Sequence, residues 1–526
     1  MKDVLKELPE QAQKEALRLM PGVFKLTETG NAERLVAQHR DKIRYCPPRR
    51  KWLLWDGRRW CWDERGEINA LAKNTVRSIY GEAELCADDE QRKLISRHAR
   101  DSEKAARRSA MITLAQTEDG ISVLPQELDA DPWAFNVLNG TIDLRTGTLK
   151  PHRREDLITK LSPVEYDIGA RSELWEQYLR DATGGDTELS AYLQRSVGYA
   201  LQGTVTEKAF WFLHGPPDGM KSTFIDAVDG ALGEYHVPAR FETWLVQSST
   251  GGNRGDLVRL MGARLVSSVE VQKGARFDEG TIKSVTGGDL LTAAAKYENE
   301  LSFYATFSLW LAANDAPAIR DDDAGAWSRV RRIPFTHPLP KDRQDPTMRA
   351  KLREPPARAA ILAWAVRGCL DWQQHGIGTC AAVEESTAEY RADMDRIAGF
   401  FAERCAFAPD ARVQRSTLRQ AYEDWCKENG VKAPLSGKEL GARLRERNVA
   451  DGKSEGKRMW TGIRLLDAWE EPETGTPGTA RGHYFQELST RKSHGTLSGT
   501  GVPEVSPSLF DDPDEREAIQ AEGGAE

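Results

Sequence analysis

Short, strongly apolar runs alternate with polar and glycine-rich segments in the middle of the chain. Three of these runs have the length of β-strands: residues 209–213, 264–269 and 306–313. The first run leads into a glycine-rich segment, after which apolar residues recur at the three- and four-residue spacing of one helix face. These residues are Phe224, Ile225, Val228 and Leu232. The pattern predicts strand, loop and helix in that order, within an α/β fold.

The segment between this strand and helix, residues 215–223, reads Gly-Pro-Pro-Asp-Gly-Met-Lys-Ser-Thr. In a strand–loop–helix unit, backbone N–H groups and the helix N-terminus converge on anionic phosphate. Lys221 would reach the outer phosphates of a nucleotide, and the Ser222 hydroxyl would bind magnesium. The P-loop pattern has glycine immediately before the lysine, whereas Met220 stands there; an incidental glycine-rich turn is the alternative. The predicted nucleotide contacts are Gly215, Pro216, Pro217, Asp218, Gly219, Met220, Lys221, Ser222 and Thr223.

Polar residues follow the second and third predicted strands. Glu270 comes directly after residues 264–269, where a carboxylate could hold hydrated magnesium or polarise water. Asn314 comes directly after residues 306–313, where an amide could orient water against a terminal phosphate. Strands often end in such residues for structural reasons alone, but their order after the loop favours a nucleotide-hydrolysing site.

Further motifs complete the series. Residues 283–289 read Lys-Ser-Val-Thr-Gly-Gly-Asp, and residues 327–335 read Trp-Ser-Arg-Val-Arg-Arg-Ile-Pro-Phe. With them the chain resembles the superfamily 3 helicases, specifically the phage/plasmid and poxvirus-type primase-helicase branch. Residues 27–34, 55–60 and 139–147 are similar to the region that precedes the motor in this branch, so the resemblance extends over roughly residues 22–470.

The resemblance implies an AAA+-like P-loop NTPase motor that uses ATP and Mg²⁺. Lys221 and Ser222 would bind phosphates and magnesium, Glu270 would be the metal-associated or water-activating acid, and Asn314 the phosphate sensor. Arg329 would insert into the site of a neighbouring copy, with Arg331 as second choice, because a planar, permanently charged guanidinium suits a transferring phosphoryl group. A solvated strand edge is the alternative for Arg331 and Arg332.

By the same resemblance, residues 290–301 would form a hairpin that lines the pore of a ring, and a hexamer is the expected ring. Lys296 and Tyr297 would contact DNA by charge and by stacking, and Lys283 is a further candidate. The hairpin is less basic than in relatives, since residues 293–295 are all alanine. An ordinary hairpin with an exposed lysine is the alternative.

The composition divides the chain into five segments. Residues 1–21 are predicted to be an N-terminal extension, 22–170 an α+β domain, 171–395 the motor with helical flanks, 396–470 a winged helix and 471–526 a disordered acidic tail. The helical flanks include a predicted helical run over residues 349–372.

The module at residues 396–470 has the order of a winged helix, three helices and then a basic hairpin. Ser436 and Glu439 form a capping-box pattern at the third helix. The module holds 15 Lys/Arg against 11 Asp/Glu, and a use in protein contacts is the alternative to DNA binding. Its candidate phosphate contacts are Lys438, Arg443, Arg445, Arg447, Lys457 and Arg458.

The charge balance does not exclude a DNA-binding protein. The net charge of the 526-residue chain is −8, but residues 471–526 alone hold 11 acidic and 4 basic residues. Seven scattered cysteines without a paired C-x-x-C spacing disfavour a zinc site and a disulfide scaffold. The chain lacks the ~18 consecutive apolar residues of a membrane span, and its first residues lack a signal peptide's apolar core. We expect it in the cytoplasm of a bacterial host cell.

The function implied by the resemblance is an ATP-driven DNA helicase in phage, prophage or plasmid replication, travelling 3′ to 5′ by family analogy. Its expected partners are single-stranded and forked DNA, further copies of itself and other replication proteins. Because only about 21 residues precede the resemblance, we expect no primase domain. One alternative is an ATP-gated DNA-binding initiator or assembly factor with little unwinding activity. Another is a P-loop kinase acting on a small molecule.

Overall fold

The computed structural model describes residues 23–246, 255–270, 275–293, 301–319, 323–394, 397–429, 434–454 and 456–466. The predicted N-terminal extension, the predicted tail, and Lys296 and Tyr297 of the predicted hairpin lie outside these residues. The chain divides into two compact units, Met1–Asp395 and Arg396–Glu526. Among the described helices, none has the length and apolar character that crossing a bilayer requires.

The first unit is a mixed α/β structure. Its helices are α1 Glu28–His39, α2 Glu67–Glu84, α3 Asp89–Ser102, α4 Ala105–Ala115, α5 Glu173–Ala182, α6 Thr187–Leu201, α7 Lys221–Leu232, α8 Gly255–Val258, α9 Glu279–Gly287, α10 Ala324–Trp327, α11 Met348–Lys351, α12 Pro355–His375 and α13 Ala381–Met394. Its strands are β1 Ile43–Cys46, β2 Lys51–Trp55, β3 Trp60–Trp62, β4 Ala134–Val137, β5 Gly140–Asp143, β6 Thr148–Lys150, β7 Phe210–His214, β8 His236–Pro238, β9 Leu265–Val269, β10 Leu290–Ala293, β11 Leu301–Tyr304, β12 Ser308–Ala313 and β13 Val330–Pro334.

The N-terminal part of this unit contains two antiparallel three-stranded sheets, β1-β2-β3 and β4-β5-β6. The turn between β2 and β3 forms because the Asp56 carboxylate accepts the backbone N–H groups of Arg58 and Arg59, at 2.7 and 2.8 Å. Helices α1 and α2 are joined by a buried ion pair in which Arg34 donates two hydrogen bonds to Glu82. The mixture of strands and helices predicted for this region is therefore confirmed.

A parallel five-stranded sheet forms the centre of the first unit, in the order β13-β7-β12-β9-β8. Strands of a parallel sheet are covered on both faces, which requires nearly continuous apolar runs. In β7, Trp211 and Leu213 pack into the core on one face, and Phe210 and Phe212 pack into the core on the other. The three apolar runs of the sequence are β7, β9 and β12, so the α/β prediction is confirmed for this core.

The predicted helical run over residues 349–372 is wrong as one continuous helix. The structure has α11 and α12 instead, separated at residues 352–354. Pro355 and Pro356 occupy the first turn of α12. Proline lacks a backbone N–H, so it is tolerated there but would interrupt the hydrogen bonds of a helix interior.

The described part of the second unit contains three helices, α14 Ala398–Arg404, α15 Arg415–Glu428 and α16 Gly437–Glu446. Its strands are β14 Cys405–Ala406, β15 Arg412–Gln414, β16 Ala450–Ser454, β17 Lys457–Thr461 and β18 Arg464–Leu465. The β16–β17 hairpin follows the third helix and pairs with β15 in the order β15-β17-β16. The capping box of Ser436 and Glu439 is confirmed at the start of α16, as is the order of three helices and a hairpin.

Candidate phosphate-binding site

The loop at residues 215–220 connects the C-terminal end of β7 to the first residue of α7. The predicted apolar face of α7 is confirmed, because Phe224, Ile225, Val228 and Leu232 are all buried. The first N–H groups of a helix have no intrahelical acceptor, and they favour an anion at that end. The sequence thus folds locally into a strand, a tight loop and a helix whose N-terminus borders a cavity.

The two glycines of the loop are needed for close packing. A Cβ on Gly215 would lie 2.0 Å from the carbonyl oxygen of Phe335, and one on Gly219 would lie 2.8 Å from the same oxygen. Neither glycine has a left-handed backbone conformation. Asp218, with φ 59°, and Met220, with φ 64°, adopt it. The residue before the lysine therefore has the backbone conformation that favours glycine, although methionine occupies it.

Lys221 is folded back onto the loop. Its Nζ donates to the carbonyl oxygens of Gly215 at 2.9 Å and Pro216 at 2.7 Å, and the residue is 6% exposed. Burial lowers the pKa of Lys221, and the charge of Asp218 partly opposes this shift. A buried ammonium gains most from an anionic partner, since neutral carbonyls compensate its lost hydration only in part.

Next to this lysine lies a cavity of about 970 Å³. Glu270 and Asn314 reach it from adjacent strands, because β9 and β12 pair in parallel and both end at this edge of the sheet. The Glu270 backbone N–H donates to the Ala312 carbonyl at 3.0 Å. The cavity thus brings together Lys221, Ser222, Glu270 and Asn314, and its lining also includes five other predicted nucleotide contacts: Pro217, Asp218, Gly219, Met220 and Thr223.

The oxygen groups of the cavity suit a magnesium ion. The Ser222 hydroxyl and the Glu270 carboxylate are both lining groups, and Mg²⁺ is usually held by one or two such oxygens together with substrate phosphates. Within the described ranges, no group of three or more His, Cys, Asp or Glu side chains forms a metal cage. Ser222 and Glu270 would hold the ion, and the ion would supply charge to bound phosphates.

Several lining residues were missed by the sequence analysis. They are Tyr178, Asp181, Asp315, Leu339, Lys341, Gln344, Asp345, Pro346 and Met348, together with the apolar strand ends. Asp315 directly follows Asn314 and could have been found by the same strand-end argument. The residues after β13 carried no periodic signal. Among them, the Lys351 ammonium and the Thr347 groups lower the pKa of Asp345 to about 2.

The three arginines near β13 have different environments. Arg329 is not among the residues that line the cavity; its Nη1 donates to the Gly325 carbonyl at 2.5 Å, and its buried Nε has no partner in the part of the chain that the structure describes. Arg331 donates to the Ser328 carbonyl at 2.8 Å. Arg332 is buried, so the solvated strand edge proposed for it is wrong.

Arg332 instead links β7 to α13. Its guanidinium donates to the His214 ring at 2.7 Å and to the Ser386 carbonyl at 3.0 Å, and it lies over the Tyr390 ring. Burial, with the charges of Arg332 and Lys221, lowers the pKa of His214 to about 4. The neutral imidazole can therefore accept the arginine's hydrogen bond at the end of the strand that leads into the loop.

Lys283 is engaged in an ion pair. Its Nζ lies 2.8 Å from Asp323, and the other oxygen of Asp323 accepts the Ala326 N–H at the start of α10. The nearby strands β10 and β11 form the predicted hairpin, with Leu290 opposite Tyr304. Lys296 and Tyr297 lie outside the described residues, so their predicted DNA contacts remain predictions.

The predicted DNA contacts of the second unit divide into exposed and engaged side chains. Lys438, Lys457 and Arg458 are exposed. Of the others, Arg445 is also exposed but pairs with Asp451 at 2.9 Å, whereas Arg447 lies 4.9 Å from the Phe401 ring centroid and Arg443 is half-buried. Asp451 also pairs with Arg415, so one carboxylate serves two arginines.

Two family models match parts of the chain. The family described as "D5 N terminal like" matches residues 32–184, and the family described as "Poxvirus D5 protein-like" matches residues 392–461. Both matches support a D5-like primase-helicase family for the matched regions.

Two curated viral proteins are similar over more than half of the chain. "Putative helicase L207/L206" of Acanthamoeba polyphaga mimivirus is 24% identical over 328 residues, covering 58% of this chain and 34% of that protein. "Putative helicase 022R" of Frog virus 3 is 22% identical over 385 residues, covering 57% of this chain and 39% of that protein. The chain thus spans less than half the length of these relatives.

Among solved structures, the apo NrS-1 C terminal region is similar at 9% identity with a TM-score of 0.43. The similarity covers 80% of this chain and 96% of that one.

Proposed function

We propose that this chain is an ATP-driven DNA helicase motor of the superfamily 3 type, acting in replication of a phage, prophage or plasmid-like element. The observation that carries the proposal is the convergence of Lys221, Ser222, Glu270 and Asn314 on one cavity at the carboxyl edge of the parallel sheet. These groups supply the parts that nucleotide hydrolysis needs: a phosphate-binding cation, two magnesium-binding oxygens and an amide for positioning water.

Binding of ATP would use the loop and the start of α7. Backbone N–H groups of residues 219–223 would surround the phosphates, and Lys221 would exchange its two carbonyl partners for phosphate oxygens. Glu270 would hold magnesium-bound water or polarise the attacking water, and Asn314 would contact the terminal phosphate. The desolvated state of Lys221 supports this assignment, because an anion would stabilise its charge.

Arg329 would act on the site of a neighbouring copy. It does not line the cavity of its own chain, and its Nε has no hydrogen-bond partner within the described part. A ring, with six copies as the expected number, would place this guanidinium against the phosphates bound by the next copy. Arginines supplied in this way stabilise the charge of the transition state.

DNA would be held by two regions. The β10–β11 hairpin, with Lys296 and Tyr297 beyond its described strands, would contact single-stranded DNA in the ring. A winged helix in the second unit would add Lys438, Lys457 and Arg458 as phosphate contacts. The exposure of these three cations supports this role.

The proposal is tested by measuring ATP turnover with and without single-stranded DNA, together with strand displacement on a forked duplex. We expect hydrolysis that single-stranded DNA stimulates, and unwinding that requires ATP. Turnover without strand displacement would point to an ATP-gated initiator or assembly factor. Turnover that ignores DNA and follows a small-molecule acceptor would point to a kinase and contradict the proposal.

A further inference from the structure

The loop at residues 215–220 has a backbone conformation that its sequence does not favour. Met220 lies in the left-handed region at φ 64° and ψ −1°, directly before Lys221. A side chain with a Cβ is disfavoured in this region relative to glycine. Some contact outside the loop must therefore stabilise the conformation that Met220 adopts.

Tyr178 makes that contact from helix α5. Its hydroxyl donates to the Met220 carbonyl oxygen at 2.6 Å, across 42 positions of sequence. Burial raises the pKa of Tyr178 well above its ordinary value, so the hydroxyl keeps its proton and can donate. The same carbonyl accepts the backbone N–H of Phe224 at 3.0 Å, as the first hydrogen bond of α7. Two donors thus define the orientation of the peptide between Met220 and Lys221.

Tyr178 is itself held rigidly. Its side chain is 2% exposed, and its ring stacks on Trp175 with a centroid distance of 5.4 Å and an interplanar angle of 10°. Trp175 stacks in turn on Phe224, in the first turns of α7, at 5.9 Å. The hydroxyl is therefore presented from a stack that includes the helix following the loop. Tyr178 also lines the cavity that Lys221 borders.

We propose that Tyr178 is a positioning residue for nucleotide binding: its hydroxyl holds the peptide joining Met220 and Lys221 in the phosphate-binding orientation that a glycine at position 220 would adopt unaided. The inference rests on the proposed function, because it takes the cavity to be a nucleotide site. It explains how the loop accommodates methionine. It also gives helix α5, which precedes β7 in the chain, a role in nucleotide affinity.

A double-mutant cycle tests the inference. The four proteins are the full-length wild type, Tyr178→Phe, Met220→Gly and the double variant, and the readout is the dissociation constant of a fluorescent ATP analogue with magnesium. We expect Tyr178→Phe to weaken binding about tenfold when residue 220 is methionine, but less than about threefold in the Met220→Gly protein. Phenylalanine keeps the ring stack, so the substitution isolates the hydroxyl.

Tyr166→Phe is the matched control. Tyr166 is also buried, and its hydroxyl donates to a backbone carbonyl, that of Gly147, at 2.9 Å. Neither residue lines the cavity. The control variant therefore loses the same kind of hydrogen bond away from the loop, and we expect it to leave the dissociation constant unchanged.

The remaining outcomes separate the inference from the proposed function. An equal loss in both backgrounds, or no loss in either, overturns the role of Tyr178 while nucleotide binding stands. Failure of the wild type to bind the analogue overturns the proposed function and this inference with it. Should Tyr178→Phe not fold, Met220→Gly alone carries the test: binding within about threefold of wild type supports the inference, and binding tighter by about tenfold overturns it.

Discussion

In the proposed function two regions of the molecule would offer positive charge to phosphate, and they hold that charge in different ways. In the loop at residues 215–220, Lys221 is 6% exposed and donates to two backbone carbonyls beside the cavity. In the second unit, Lys438, Lys457 and Arg458 are exposed. Buried charges interact strongly and are little screened by salt, whereas exposed charges interact weakly and are screened. We therefore expect phosphate binding at the loop to depend on single residues such as Lys221, and phosphate binding by the second unit to depend on the summed charge of several residues.

The largest expected effect tests the loop at residues 215–220. Lys221→Ala removes its buried cation, and we expect ATP turnover to be abolished. Steady-state turnover of the purified full chain measures it. Lys208→Ala is the control, because Lys208 is exposed and does not line the cavity. Unchanged turnover in the Lys221 variant would mean that the loop is not the nucleotide site.

The next effect tests whether another copy of the chain contributes a residue to the nucleotide site at the loop. Arg329→Ala should leave nucleotide affinity intact while turnover falls about 1000-fold, because the guanidinium would act only on the transition state. Mixing it with Lys221→Ala protein should restore part of the turnover at hybrid interfaces. Arg331→Ala serves as the comparison. Lack of any rescue would argue against a site shared between copies.

A smaller effect tests the exposed cations of the second unit. Substituting Lys457 and Arg458 together by alanine should weaken DNA binding and reduce the slope of log affinity against log salt by about two, one for each lost phosphate contact. Fluorescence anisotropy over a salt series measures both. Arg445→Ala should change the slope less, because Arg445 is already paired with Asp451. A salt slope that the double variant leaves unchanged would remove this hairpin from the DNA contacts.

The smallest effect concerns the neutral histidine beside the loop. The pKa of His214 is lowered to about 4 by burial, Arg332 and Lys221, so the unfolded chain binds the proton first as pH falls. Stability contributed by the neutral ring is therefore lost between about pH 6.5 and about pH 4. In His214→Gln, thermal unfolding midpoints should fall less between pH 7 and pH 5 than in wild type. The exposed His375 gives the control variant, His375→Gln, which should behave as wild type.

Much of the core followed from local patterns, but contacts between distant residues did not. The strands β7, β9 and β12 and the helix α7 each carry their own apolar pattern, and the capping box at Ser436 carries a local polar pattern. By contrast, Arg332 meets His214 across 118 positions and Lys283 meets Asp323 across 40. No short-range spacing encodes such pairs, so the sequence pattern predicts neither the burial of Arg332 nor the ion pair of Lys283.

The sequence by itself determined that β7, β9 and β12 become strands, which loop joins β7 to α7, and which polar residues stand at the ends of β9 and β12, because apolar periodicity and strand-end position are local properties. Only the tertiary structure decided that β12 lies between β7 and β9, which brings Asn314 and Glu270 to the same cavity as Lys221. It also decided that Met220 takes a left-handed backbone against a tyrosine hydroxyl. Strand order and buried hydrogen bonds arise from packing between segments, where the burial of apolar faces outweighs the preference of any single residue.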